Sequence, residues 1–127
     1  MKNLGSTFLF TIIASASFAG QALDNQLELF AQQGATQADA ERGRLFWITE
    51  TAEGHACAQC HGEDVTQVGK HARTGKLIEP MAPSVNPSRL SDEKQMTKWL
   101  LRNCKWTLGR ECSAQEKADV LTWLSQQ

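Results

Sequence analysis

Apolar residues recur along most of this chain at helical intervals. Leu23, Leu27, Phe30 and Ala31 follow an i, i+4, i+7, i+8 pattern and predict a first amphipathic helix. Gln32 to Gln37, with Gly34, reads as a break. Asp39 is placed to cap a second helix running to about Glu50, with Leu45, Phe46 and Ile48 as its apolar surface. Gly43 in the middle of that helix costs about 1 kcal/mol relative to alanine. Close approach of another helix would explain it, and the C-terminal helix is the candidate. Residues 62 to 90 look irregular, punctuated by Gly62, Gly69, Gly75, Pro80, Pro83 and Pro87. Ser91 then caps a helix from Asp92 to about Asn103, on which Met96, Trp99, Leu100 and Asn103 share a face. Cys104 to Cys112 reads as a tight segment. Ser113 and Glu116 have capping-box spacing and open a final helix with Val120, Leu121 and Leu124 as its stripe, flanked by Trp123. No stretch alternates with period two, so the expected fold class is all-α.

At the start of the chain, Lys2 is followed by an apolar run from Phe8 to Ala14 and then by small residues. The run is too short to span a bilayer. It reads as a signal peptide, residues 1–22, cleaved after Ser17-Phe18-Ala19 or Gly20-Gln21-Ala22, with residues 23–127 as one domain. The expected location is periplasmic, with no permanent membrane anchor. A domain of about 105 residues supports only a modest core. Without Lys2 the chain has twelve basic and fourteen acidic residues. This near-neutral balance argues against nucleic-acid binding.

Cys57-Ala58-Gln59-Cys60-His61 changes the picture most. In a CxxCH motif the two thiols can each add across a haem vinyl group, and the adjoining histidine can bind the iron. Two rivals are weaker. A thioredoxin-like CxxC expects a βαβ context that the pattern lacks. A zinc site needs a second ligand pair, and Cys104 and Cys112 are eight apart. A covalent haem c also supplies the apolar body that a small core needs.

The motif leaves the sixth iron ligand open, and His55, His71, Met81, Met96 and Asn103 are candidates. His55 is only six residues before His61 and reads as a solvated loop residue. His71 lies in a basic loop with Lys70, Arg73 and Lys76 and reads as solvated or facing a propionate. Met81 is flanked by Pro80 and Pro83 but follows His61 by only 20 residues, a short loop to round a haem edge. Met96 reads as core. Asn103 is polar on an apolar stripe. It is either a helix C-cap in left-handed conformation or a distal amide aimed at the iron.

Several segments together resemble the sphaeroides haem protein (SHP) family of oxygen-binding c-type cytochromes. They are Ala40 to Phe46, Cys57 to Gly62, Asp64-Val65-Thr66, Arg73 to Lys76, Ala82-Pro83-Ser84, Lys98-Trp99-Leu100, Arg102-Asn103-Cys104, Gly109-Arg110, Cys112 and Glu116 to Asp119. The resemblance spans essentially all of the expected mature chain. It implies a class I cytochrome c-like fold around one covalently attached haem, with Cys57 and Cys60 in thioether bonds and His61 as proximal ligand. Asn103 matches the family's asparagine, which ligates ferric iron and leaves on reduction, opening the haem to dioxygen, nitric oxide or carbon monoxide. Cys104 and Cys112 match a disulfide. The implied electron donor is a periplasmic dihaem cytochrome c. Met81 departs from the family pattern, which has no ligating atom there. In the related cytochrome c″ type the detachable ligand is histidine, and none lies near residue 103. Arg73 and Lys76 are candidates to pair with a haem propionate, or to form part of a patch for an acidic redox partner. The competing functions are a plain electron shuttle ligated by Met81, and a terminal enzyme converting dioxygen or nitric oxide.

Overall fold

The computed structural model describes residues 18–127, so most of the expected signal peptide lies outside the described residues. Among the described residues there are five helices, α1 (Phe18–Gln32), α2 (Ala40–Ile48), α3 (Ala58–His61), α4 (Glu93–Leu108) and α5 (Ala114–Ser125). A two-stranded antiparallel ribbon, β1 (Gly69–Lys70) with β2 (Leu77–Ile78), interrupts the irregular stretch. The fold is therefore helical, with one small ribbon that the period-two test is too coarse to detect.

Side chains fix the helix starts as the spacing predicts. Asp39 accepts the Arg42 N–H at 2.8 Å and begins α2. At α5 the capping box closes in both directions, Glu116 N–H to Ser113 Oγ at 3.1 Å and Ser113 N–H to Glu116 Oε2 at 2.7 Å. The start of α4 is displaced by one residue. Its N-cap is Asp92, whose carboxylate accepts the Gln95 N–H at 2.9 Å.

The core lies between α2 and α5. Val120, Leu121, Trp123 and Leu124 are buried as the α5 stripe predicts. Gly43 is buried against α5, where a Cβ would overlap the Asp119 carbonyl. The glycine therefore permits backbone-to-backbone contact between the two helices. On α2 Phe46 and Ile48 pack against the core as expected, but Leu45 does not. Trp47 is 4% exposed and Leu45 46% exposed, because the buried side is set by Gly43 and Trp47, one turn apart. On α1, Ala22, Gln26 and Phe30 are buried, and Leu23 and Leu27 pack partly beside them.

Asp119 ties this layer together. Its carboxylate accepts Arg42 Nε at 2.8 Å, the Asp39 N–H at 2.7 Å and Gln115 Nε2 at 2.8 Å. Burial works against its charge, yet these donors and the nearby guanidinium hold the carboxyl below its usual range.

Candidate haem site

The CxxCH segment forms a single helical turn. Cys57 stands at its N-cap, and Gly62 ends it at a positive φ of 78°. Both thiols are free and half-buried. Burial pushes the Cys57 thiol up to about 11. That is opposite to the depressed value of a redox-active CxxC cysteine and also disfavours a thiolate metal ligand. Among the described residues no group of three or more His, Cys, Asp or Glu can hold a metal ion. Neither the zinc nor the dithiol reading gains support from this chemistry.

His61 is held from behind by the core. Its ring lies 5.2 Å from that of Trp47, which itself packs on Trp123 at 5.3 Å. Trp47 Nε1 donates to the Gly62 carbonyl at 2.8 Å, fixing the end of the attachment turn to α2. Sequence reading missed this residue. Its signal was the i, i+4 spacing to Gly43. Burial, and after it the positive charge of Arg89, lowers His61 to about 4, so the imidazole is neutral and able to donate an electron pair to a metal. His61 Nδ1 is buried without a hydrogen-bond partner among the described residues. A neutral, wall-mounted imidazole beside two free cysteines on one turn fits a covalent haem.

Arg89 is a second residue that the sequence did not single out. Its guanidinium donates to the Pro80 carbonyl at 2.8 Å and the Glu79 carbonyl at 2.7 Å. The Pro80–Pro83 segment is also tied to Val65, whose carbonyl accepts the Met81 N–H at 2.9 Å and the Ala82 N–H at 3.0 Å. Met81 packs half-buried against the core cluster.

Helix α4 corrects the sequence reading. It does not end near Asn103 but continues to Leu108, and Gly109 supplies the left-handed cap at φ 67°. Asn103 is therefore no C-cap. It lies mid-helix between Met96 (i−7) and Thr107 (i+4), both buried, so it belongs to the inward sector of α4, yet it is exposed. Trp99 and Trp106 flank it at 45% and 44% exposure. The adjacent residue, Cys104, forms a disulfide with Cys112, with Cα atoms 5.5 Å apart. Met96 is buried core, as expected.

The two other histidines gather at the end of α4. His55 is half-buried rather than solvated, its ring edge-on to Trp106 at 4.4 Å. His71 is 6.5 Å from the same indole, and its Nδ1 accepts the Arg73 and Thr74 N–H groups at 3.2 and 3.3 Å. Arg73 and Lys76 lie exposed between β1 and β2, with no ion pair among the described residues.

Comparison with known proteins places this geometry. Residues 33–124 match the family described as domain of unknown function DUF1924. The chain is 44% identical, over 94% of its length and 95% of the relative's, to cytochrome c-type protein SHP of Cereibacter sphaeroides. The chain belongs to the SHP family of c-type cytochromes. The solved structure of oxidised SHP, described as an oxygen-binding cytochrome c, superposes with a TM-score of 0.74 at 42% identity, covering 86% of this chain and 96% of that one. Cytochrome c″ of Methylophilus methylotrophus is 38% identical over 65% of this chain and 60% of its own length. The oxidised crystal structure of that protein gives a TM-score of 0.71 at 29% identity, over 87% of this chain and 94% of its own. As an SHP-type cytochrome, the chain has a class I-like fold and carries covalently bound haem c.

Proposed function

We propose that this SHP-type protein is a periplasmic electron-accepting cytochrome whose distal site opens on reduction to bind a diatomic gas. The N-terminal 22 residues act as its export signal, and a dihaem cytochrome c or similar periplasmic protein is its donor. Bound haem supplies a one-electron iron couple and, where its sixth position opens, a site for dioxygen, nitric oxide or carbon monoxide. Cys57 and Cys60 would hold it through thioether bonds, and His61, backed by Trp47, would bind the iron.

The observation that carries the reading is the position of Asn103. An asparagine is a poor helix-interior residue. Here it occupies the inward sector of α4 between two tryptophans, with the capping role taken by Gly109. Its amide oxygen is a weak, hard donor that suits ferric iron better than the softer, less charged ferrous ion. Asn103 would therefore hold ferric iron and be released on reduction. The Cys104–Cys112 bridge pins the adjacent backbone, so release is a side-chain movement. Once released, the amide can donate a hydrogen bond to a gas in the distal pocket. Met81 has its backbone tied to Val65 and its side chain packed on the core, which favours Asn103 over it.

Visible spectra of the holoprotein test this. The ferrous form is expected to be high-spin and to shift at once with carbon monoxide. A sharp low-spin ferrous α-band indifferent to carbon monoxide would mean a permanent ligand, Met81 or His71, and a plain electron shuttle. Asn103→Val is expected to change the ferric spectrum and to raise the gas off-rate; an unchanged pair of readings would remove Asn103 from the iron. Turnover with reductant and gas would mark a terminal enzyme instead of a carrier.

A further inference from the structure

The ribbon between residues 68 and 79 makes no contribution to ligation in the reading above, yet it is built tightly onto the haem-attachment turn. A Cβ on Gly69 would overlap the Cys60 carbonyl and come within 3.0 Å of His61 Cα, so only glycine lets β1 lie this close. Beyond β1, the Ala72 N–H donates to Cys60 Sγ at 3.2 Å. The turn is shaped by its own backbone, with His71 N–H to the Lys76 carbonyl at 2.8 Å and Gly75 N–H to the His71 carbonyl at 2.9 Å. One hydrogen bond thus separates an exposed turn from a sulfur that bonds to haem.

The charge on this turn is one-sided. Lys70, Arg73 and Lys76 are all exposed, and no Asp or Glu occurs between Asp64 and Glu79. The rest of the chain carries ten cations against fourteen anions. The turn is therefore a local cluster of three cations beside Cys60, without an acid within it. None of the three cations has a carboxylate partner among the described residues, a property they share with Lys94, Lys98, Arg102 and Lys117. On the outward face of the ribbon Leu77 is 68% exposed and pairs across the strands with Lys70.

We propose that the Lys70–Lys76 turn, centred on Lys70, Arg73, Lys76 and Leu77, is the docking surface for an acidic electron-donor protein, with Ala72 and Cys60 as the entry path. One electron leaves the partner and reduces ferric haem to ferrous; no covalent bond forms or breaks. Positive charge clustered at the entry point orients an acidic partner before contact and raises the association rate. Leu77 adds a short-range apolar contact inside the charged rim. The proposal rests on the haem-protein reading but not on the gas-binding site, because Asn103 and α4 take no part in it.

The test uses the holoprotein and reduced flavodoxin, an acidic one-electron donor, in stopped flow across ionic strength. The Lys70→Glu/Arg73→Glu/Lys76→Glu variant is expected to lose roughly tenfold or more in bimolecular rate at low salt and most of its salt dependence. The corresponding glutamine triple should fall between it and the parent. A control of equal net charge, Lys94→Glu/Lys98→Glu/Lys117→Glu, should lose less than about twofold. In a titration of labelled protein with oxidised flavodoxin, amide shifts should concentrate at residues 68–78. Equal losses in both glutamate triples would overturn the proposal, since net charge alone would then explain them. A changed midpoint potential with an unaltered salt slope would overturn it in favour of propionate pairing by Arg73 or Lys76. A permanent sixth ligand, found by carbon monoxide, would end the gas-binding reading without moving any of these rates.

Discussion

The α2–α5 layer and the inward face of α4 are built on opposite terms. Between α2 and α5 every large side chain meets protein. Gly43 admits the Asp119 backbone, Trp47 lies on Trp123, and the Asp119 carboxylate is fully engaged by donors. Along α4 the sector holding Asn103 has large aromatic side chains that protein only half covers, and elsewhere His61 Nδ1 has no partner among the described residues. The first region is completed by the polypeptide itself, and the second fits a prosthetic group as its missing partner. Stability should therefore reside mainly in the first and ligand chemistry in the second.

Gly43→Val should break that division most severely. A side chain there overlaps the Asp119 carbonyl, so about 3 kcal/mol or more of unfolding free energy should be lost, read by urea denaturation. The ferrous carbon monoxide spectrum of the molecules that still fold should stay as in the parent; a changed spectrum would show the two regions to be coupled. The Cys104→Ser/Cys112→Ser pair comes next. Opening this nine-residue loop should cost roughly 2.5 kcal/mol on the chain-entropy model. Because the bridge adjoins Asn103, this variant should also broaden the distribution of gas off-rates, which Gly43→Val should not do.

Asp119→Asn should cost about 1–2 kcal/mol, since charge-assisted hydrogen bonds become neutral ones at a buried position. Its pH dependence sharpens the comparison. A carboxyl whose folded-state value is depressed stabilises the protein above its unfolded value and loses that contribution as pH falls through the folded value. Urea midpoints of the parent should therefore fall more steeply than those of Asp119→Asn as pH drops below about 4. Equal slopes would show that Arg42 and Asp119 are not thermodynamically linked. Smallest of the set, Ser113→Ala should remove one side of the α5 capping box and cost about 1 kcal/mol, leaving all haem spectra unchanged.

Sequence patterning was most informative where a physical signal is local. The capping box at Ser113, the Asp39 cap, the α5 stripe and the cost of Gly43 all depend on residues within one or two turns, and all stand in the structure. It failed where a neighbour from elsewhere decides. Phe46 and Ile48 pack against the core as expected, but Leu45 lies exposed, and α5 also selects Gly43 and Trp47. Asn103 looks like a helix end because asparagine often is one, while the helix has enough packing to run on to Gly109. Arg89 carries no pattern at all; its role comes from two carbonyls that the Glu79–Pro80 bend presents to it.

The sequence alone determined the cofactor chemistry and the helical class. Thioether attachment requires two thiols and an imidazole at fixed separations along one turn, and helix-forming periodicity is a property of consecutive residues. Only the tertiary structure decided how that turn is mounted and what surrounds it. Trp47 backs His61 and the basic turn rests on Cys60, both through contacts between residues distant in the chain. Such contacts depend on how helices dock, and docking is set by the summed shape of whole faces, which no local spacing encodes.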